Sequence, residues 1–211
     1  MATGRKKTAT KGKPAGRSGR GSSAVVVAAR RGGPSAWTLV AIAVVVLLVG
    51  GLIAYFVTRP STHATAPQGV QTFSNLSRNH VTGQVNYPQT PPVGGNHNSV
   101  WLNCGTYTNP VANENAVHSM EHGAVWITYQ PTLPAADVTT LQHAVAGKSY
   151  VILSPYTGIP APVVASAWGV QLRLTGAADP KLAQFINYYQ QGPQTPEAGS
   201  PCSGGTGNPQ Q

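Results

Sequence analysis

The 22 residues from Ala36 to Val57 constrain this chain more than any other stretch. They carry no charge and are dominated by Val, Leu, Ile and Ala. At about 1.5 Å rise per residue the run makes a helix of roughly 33 Å, against a bilayer hydrocarbon core of about 30 Å. A single segment in lipid must satisfy its own backbone hydrogen bonds, and a helix does so. Trp37 and Tyr55 lie near the two ends, where amphipathic rings suit the membrane interfaces. The run therefore predicts a transmembrane helix over 36–57.

The formal charge of +9 becomes informative when it is divided at this helix. Before it stand nine basic residues, from Arg5 to Arg31, and no acid. After it five basic residues face five acidic ones. The positive-inside rule then places the N-terminus in the cytoplasm and the rest of the chain outside the membrane. The basic lead is too long, and the apolar run too extended, for a secretory signal with its apolar core of about 7–15 residues. Thr62-His63-Ala64 makes a poor cleavage site. Arg30-Arg31 is followed by Gly-Gly-Pro, which does not support a twin-arginine signal. An ordinary anchor is the expectation.

Residues 1–35 are Gly, Ser, Ala, Lys, Arg and Pro with few large apolar side chains, and are read as a disordered basic cytoplasmic tail. Its partners are expected to be the bilayer and its anionic headgroups. No aromatic residue interleaves with the charges before Trp37, so specific nucleic-acid binding is not expected. Pro60, Pro67 and Gly69 mark residues 58–72 as a linker. Residues 73–202 are the folded extracytoplasmic domain, and 203–211 a disordered tail.

Within that domain, Pro88, Pro91, Pro92, Gly94 and Gly95 make 73–122 read as mostly irregular. Ala124–Tyr129 reads as a strand, and Pro134 starts a helix that runs to Ala146. Tyr150–Leu153 reads as a short strand and Val163–Leu174 as one longer strand. Pro180–Gln191 is an amphipathic helix capped by Asp179, with Leu182, Phe185, Ile186 and Tyr189 on one face. This order predicts a small α+β domain behind one N-terminal transmembrane helix.

Cys104 and Cys202 both follow the apolar run. In an oxidising compartment they most simply pair. Closing so long a loop is worth on the order of 4–5 kcal/mol in the chain-entropy picture. Two free thiols, or Cys104 as a metal ligand, are the alternatives.

The candidate chemistry lies in Val117-His118-Ser119-Met120-Glu121-His122-Gly123, with His97 upstream. His118-x-x-Glu121-His122 matches the inverted zinc-protease pattern, in which two histidines one helical turn apart grip zinc and the glutamate is the general base. A strand directly after Gly123 argues against a helix here. In an extended segment His118, Met120 and His122 share a face, and with His97 form a set suited to zinc or copper. In a third reading the histidines and Glu121 only hold an irregular loop through hydrogen bonds. The candidate metal ligands are thus His97, His118 and His122, with Glu121, Gly123, Cys104 and Cys202 in structural roles. His63, His80 and His143 belong to no motif, and His63 and His143 are expected to be solvated.

Pro91-Pro92-x-Gly94-Gly95-x-His97, Cys104-Gly105-x-Tyr107, His118-Ser119-Met120-Glu121-His122-Gly123, Trp168-Gly169 and Pro201-Cys202 together resemble the domain-of-unknown-function family 3105. The resemblance covers roughly residues 70–202. It implies a bacterial plasma-membrane protein with a single-span anchor, an extracytoplasmic domain and no settled activity. The family's motif falls on His97, His118, Glu121, His122 and Gly123. Met120 stands where the family pattern leads one to expect leucine, which makes it a packing residue. Two functions follow: a non-enzymatic binding or assembly module at the cell envelope, or a metal-binding protein or metal-dependent hydrolase using the His-x-x-Glu-His segment.

Overall fold

The computed structural model describes residues 33–58 and 65–210. The basic segment 1–32, most of the expected tail, lies outside them, as do residues 59–64 of the linker and Gln211. The chain divides into two units, Met1–Pro60 and Ser61–Gln211.

The first unit contains helix α1, Ala36–Thr58. Ser35 caps it: its Oγ accepts the Thr38 amide at 3.2 Å. Among the described residues this is the one helix long and apolar enough to cross a membrane. Its large apolar side chains from Trp37 to Tyr55 are all exposed.

The second unit is built on a six-stranded mixed sheet. In chain order its elements are β1 (Gln71–Thr72), β2 (Gly105–Thr106), α2 (Asn113–Glu121), β3 (Val125–Tyr129) and α3 (Ala135–Val145), followed by β4 (Val151–Pro155), β5 (Val163–Ala167), β6 (Val170–Leu174) and α4 (Lys181–Tyr189). The strand order is β1-β6-β5-β3-β4-β2. β3 and β4 run parallel, joined through α3, and β2 extends that parallel half. β5, β6 and β1 continue the other side antiparallel.

The central strand is buried along its whole length because both faces of the sheet are covered. Val125, Ile127 and Tyr129 point into one core with Leu141 of α3 and Leu182, Phe185 and Ile186 of α4. Trp126 points the opposite way, into a second core with Ala116, Val117 and Met120 of α2. Full burial of one such side chain contributes about 1.5–3 kcal/mol. Two polar side chains of the sheet, Trp126 and Gln171, are paired internally. Trp126 Nε1 donates to Ser154 Oγ at 2.9 Å, and Gln171 Nε2 donates to Pro91 O at 2.9 Å and Ser166 Oγ at 3.1 Å.

Three expectations need correction. Residues 73–122 are mostly irregular, but the His-x-x-Glu-His segment, expected not to be helical, lies on α2 with His122 at its C-terminal cap. Its Ala116, Val117 and Met120 form a packed stripe, and the turn ends where Gly123 adopts φ +102°, leaving room for β3 directly afterwards. The strand expected over 163–174 is a hairpin, turned at Trp168-Gly169 with Ala167 opposite Val170. Gly169 has φ +71°, and a Cβ there would lie 3.0 Å from Phe73 O. Residues 203–210 do not trail off. Asn103 N donates to Thr206 O at 2.8 Å, Thr206 N to Trp101 O at 2.9 Å, and Gln210 N to Thr106 O at 2.7 Å. Backbone groups left by the short strand β2 find partners there.

Candidate metal centre

Helical spacing decides which groups of α2 meet. Ala116, Val117 and Met120 face the core, so His118, Glu121 and His122, at i, i+3 and i+4, share the adjoining stripe at the helix C-terminus. All three are buried. The segment 98–102 is tied across them: Asn115 Nδ2 donates to Val100 O at 2.6 Å and Ser119 Oγ to Leu102 O at 2.6 Å. This places the Asn98 carbonyl 2.7 Å from His118 Nδ1.

His97 arrives from the glycine-rich segment. Gly94 adopts φ +146° against Trp168 and Leu76, where a Cβ would lie 2.7 Å from Leu76 Cδ1. Gly95, at φ +116°, presents its carbonyl 2.8 Å from His97 Nδ1. His80 is brought alongside by backbone pairing: Val81 N donates to His97 O at 2.8 Å and His97 N to Asn79 O at 3.1 Å.

His80, His97, His118 and Glu121 each offer one donor atom, and these four atoms all lie within 4.8 Å of one another. The three imidazoles pack at centroid separations of 4.8–5.0 Å. Trp168 closes on His97 edge-on at 5.9 Å, and Trp101 on His118 at 5.8 Å. Glu121 Oε1 accepts from Arg78 Nε at 2.5 Å, and Arg78 Nη2 donates to Glu197 Oε1 at 3.0 Å.

The tautomers follow from these partners. A carbonyl only accepts, so Nδ1 of His97 and of His118 carries the hydrogen and Nε2 is left facing the cluster. Burial pushes the His118 imidazole down to about 4, against the opposing Asn98 carbonyl bond and with help from neighbouring His122, His97 and His80. It is neutral at pH 7 and its Nε2 lone pair is available. His97 Nε2 is buried and makes no hydrogen bond. The Glu121 Oε2 oxygen stands 3.0 Å away, but out of line for an N–H donor. A cation held between these two atoms would satisfy both.

Of the residues expected to bind metal, His97 and His118 converge. His122 is not among the four donors. Its ring lies 4.5 Å from that of His118, its Nδ1 donates to Pro201 O at 2.7 Å, and its Nε2 is 3.7 Å from Glu197 Oε2. Glu121 bonds a guanidinium rather than loop amides and stands among the donors. His80, which no motif singled out, completes the set. Cys104 and Cys202 are joined, with Cα atoms 5.4 Å apart, so Cys104 is not a ligand. Met120 is fully buried in the second core. Tetrahedral zinc, with bonds of about 2.0–2.1 Å, keeps its donor atoms about 3.4 Å apart, so these four would draw together around it.

A family model described as "Protein of unknown function (DUF3105)" matches residues 80–204, which takes in every donor of this cluster and the cysteine pair. No curated protein and no solved structure matches the chain.

Proposed function

We propose that this chain, which belongs to the DUF3105 family, is a membrane-anchored extracytoplasmic module that holds a zinc ion through His80, His97, His118 and Glu121. The observation that carries the reading is the buried Nε2 of His97, which makes no hydrogen bond although Glu121 Oε2 stands at ion-pair distance, 3.0 Å away. A divalent cation satisfies both atoms. Imidazoles held by backbone carbonyls through their far nitrogen are the usual outer support of metal-ligating histidine. The four donors are nitrogen and oxygen only, a set that suits zinc over copper(I). Four protein donors fill a tetrahedral shell, the pattern of zinc sites that hold rather than hydrolyse. His122 serves beside the ion as a positioning group.

The anchoring half of the proposal rests on α1, whose apolar side chains are exposed over a length that suits a bilayer. Nine basic residues on its N-terminal side favour a cytoplasmic N-terminus against anionic headgroups. The Cys104–Cys202 pair fits an oxidising compartment beyond a plasma membrane.

The test is elemental analysis of the full-length chain in detergent after zinc loading and dialysis, with a copper(II) arm in parallel. One zinc per chain is expected, lost in His97→Ala. A folded wild-type chain that retains no metal overturns the reading, and preference for copper(II) replaces the ion.

A further inference from the structure

Three of the four donor side chains are held by hydrogen bonds, and the fourth, His80, is held only by ring packing on His97 and His118. His97 and His118 are buried and locked through Nδ1 to carbonyls at 2.8 and 2.7 Å. Glu121 is buried and locked through Arg78. His80 is exposed, and its ring makes no hydrogen bond among the described residues. Its backbone is nevertheless held beside His97 by the Val81 and His97 amide bonds. The ring therefore has only its side-chain torsions to move about, and it now lies nearly parallel on His118, 4.9 Å away with a 30° tilt. Of the four donors, His80 alone also lines an open surface pocket of about 400 Å³, with Val81, Thr82 and Ser99.

We infer that His80 is the exchange ligand of the site, and that zinc is a cargo taken up and released through the cavity His80 lines. The inference rests on the zinc reading above. Rotation of His80 breaks one zinc–nitrogen bond and leaves the ion on His97, His118 and Glu121. An incoming donor on a small carrier, an imidazole, thiolate or carboxylate, forms the replacing bond in the vacated position. No electron is transferred, and the displaced imidazole keeps its lone pair. A permanently structural ion would call for a fourth ligand as firmly held as the other three. Pre-organised ligands lose less freedom on binding, so the three fixed donors provide most of the affinity and His80 governs access.

The experiment follows zinc transfer from the loaded full-length chain in detergent to excess 4-(2-pyridylazo)resorcinol, read by absorbance. Wild type, His80→Ala and His97→Ala are compared, with apo-state melting as a control on folding. The expected result is that His80→Ala still takes up one zinc and gives it up at least about tenfold faster, the scale on which support around a metal site is felt. His97→Ala takes up none. Equal transfer rates in wild type and His80→Ala overturn the exchange role while leaving the zinc site standing. A folded His80→Ala chain that binds no zinc, or a wild-type chain that releases none to the chelator, makes the ion structural and overturns the cargo assignment. Absence of zinc from folded wild type removes the site itself.

Discussion

The carbonyl of Pro201 accepts the Nδ1 hydrogen of His122 at 2.7 Å. Pro201 is the residue before Cys202, whose own carbonyl accepts the Cys104 amide at 2.7 Å beside the sulfur link. The crosslink thus fixes the segment that orients an α2 histidine and carries Glu197 toward Arg78.

Removing that crosslink is expected to cost about 2–5 kcal/mol, the usual range for a native disulfide closing a long loop. Cys202→Ser and wild type treated with reductant should shift their urea midpoints downward alike. A wild-type midpoint indifferent to reductant would show that the cysteines do not stabilise the fold in solution.

Arg78→Ala withdraws the counter-charge from a carboxylate whose side chain is 2% exposed, while the Arg78 side chain itself is 48% exposed. Removing one partner of a buried pair costs about 3–5 kcal/mol, and the half-open guanidinium reduces this to about 1–3 kcal/mol. Zinc should offset the loss, since ligand at hundredfold over its Kd adds about 2.7 kcal/mol to stability. Thermal melts with and without zinc check both statements. An Arg78→Ala chain as stable as wild type would rule out Glu121 as a group dependent on it.

Asp179 supplies a pH dependence away from the site. Burial pushes its carboxyl up, but bonds from the Lys181 and Thr175 amides and the Thr175 hydroxyl outweigh this, and the net shift is downward. A carboxyl whose folded value lies below its unfolded one contributes stability above the unfolded value, near 3.8, and loses it as pH falls through the folded value. Asp179→Ala should cost about 0.5–2 kcal/mol at pH 7, as loss of a helix cap does. The gap between variant and wild type should close as urea melts are taken from pH 5 down to pH 2. A constant gap would assign the loss to packing instead.

Gly123→Ala tests the end of α2. The residue holds φ +102°, and a Cβ would press into the Gln191 side chain, which donates to His122 O. Holding a non-glycine residue in this region costs about 1–3 kcal/mol. Lower stability together with weaker zinc retention is expected. Unchanged zinc retention in a destabilised chain would show that the last turn of α2 tolerates the shift.

Most of the sheet was legible from residue type alone. Val125–Tyr129 and Val151–Pro155 are apolar runs bounded by turn residues, and α4 shows its apolar stripe. The hairpin at Trp168-Gly169 left a trace that a uniform strand reading passes over. Inward residues fall at 163, 165 and 167, then at 170, 172 and 174, and this change of parity is what a two-residue turn produces. Helix α2 was hidden because its nine residues are short and polar for a buried helix, and because only three residues separate its end from a strand. His97 and His118 could be singled out by their motifs. His80 could not, since its place depends on pairing with His97 across 17 residues of chain with no periodic pattern. Glu121 resembled a loop acceptor until the helix put it one turn beyond His118.

Proteins are made from the N-terminus onward, and Cys104 precedes its partner by 98 residues. The residues that back the cluster from behind, Glu197 and Pro201, are among the late ones to emerge. During synthesis the four donors therefore emerge before Glu197 and Pro201, and before Cys104 has a partner. Any metal captured that early would meet donors whose neighbours Arg78 and His122 still lack Glu197 and Pro201.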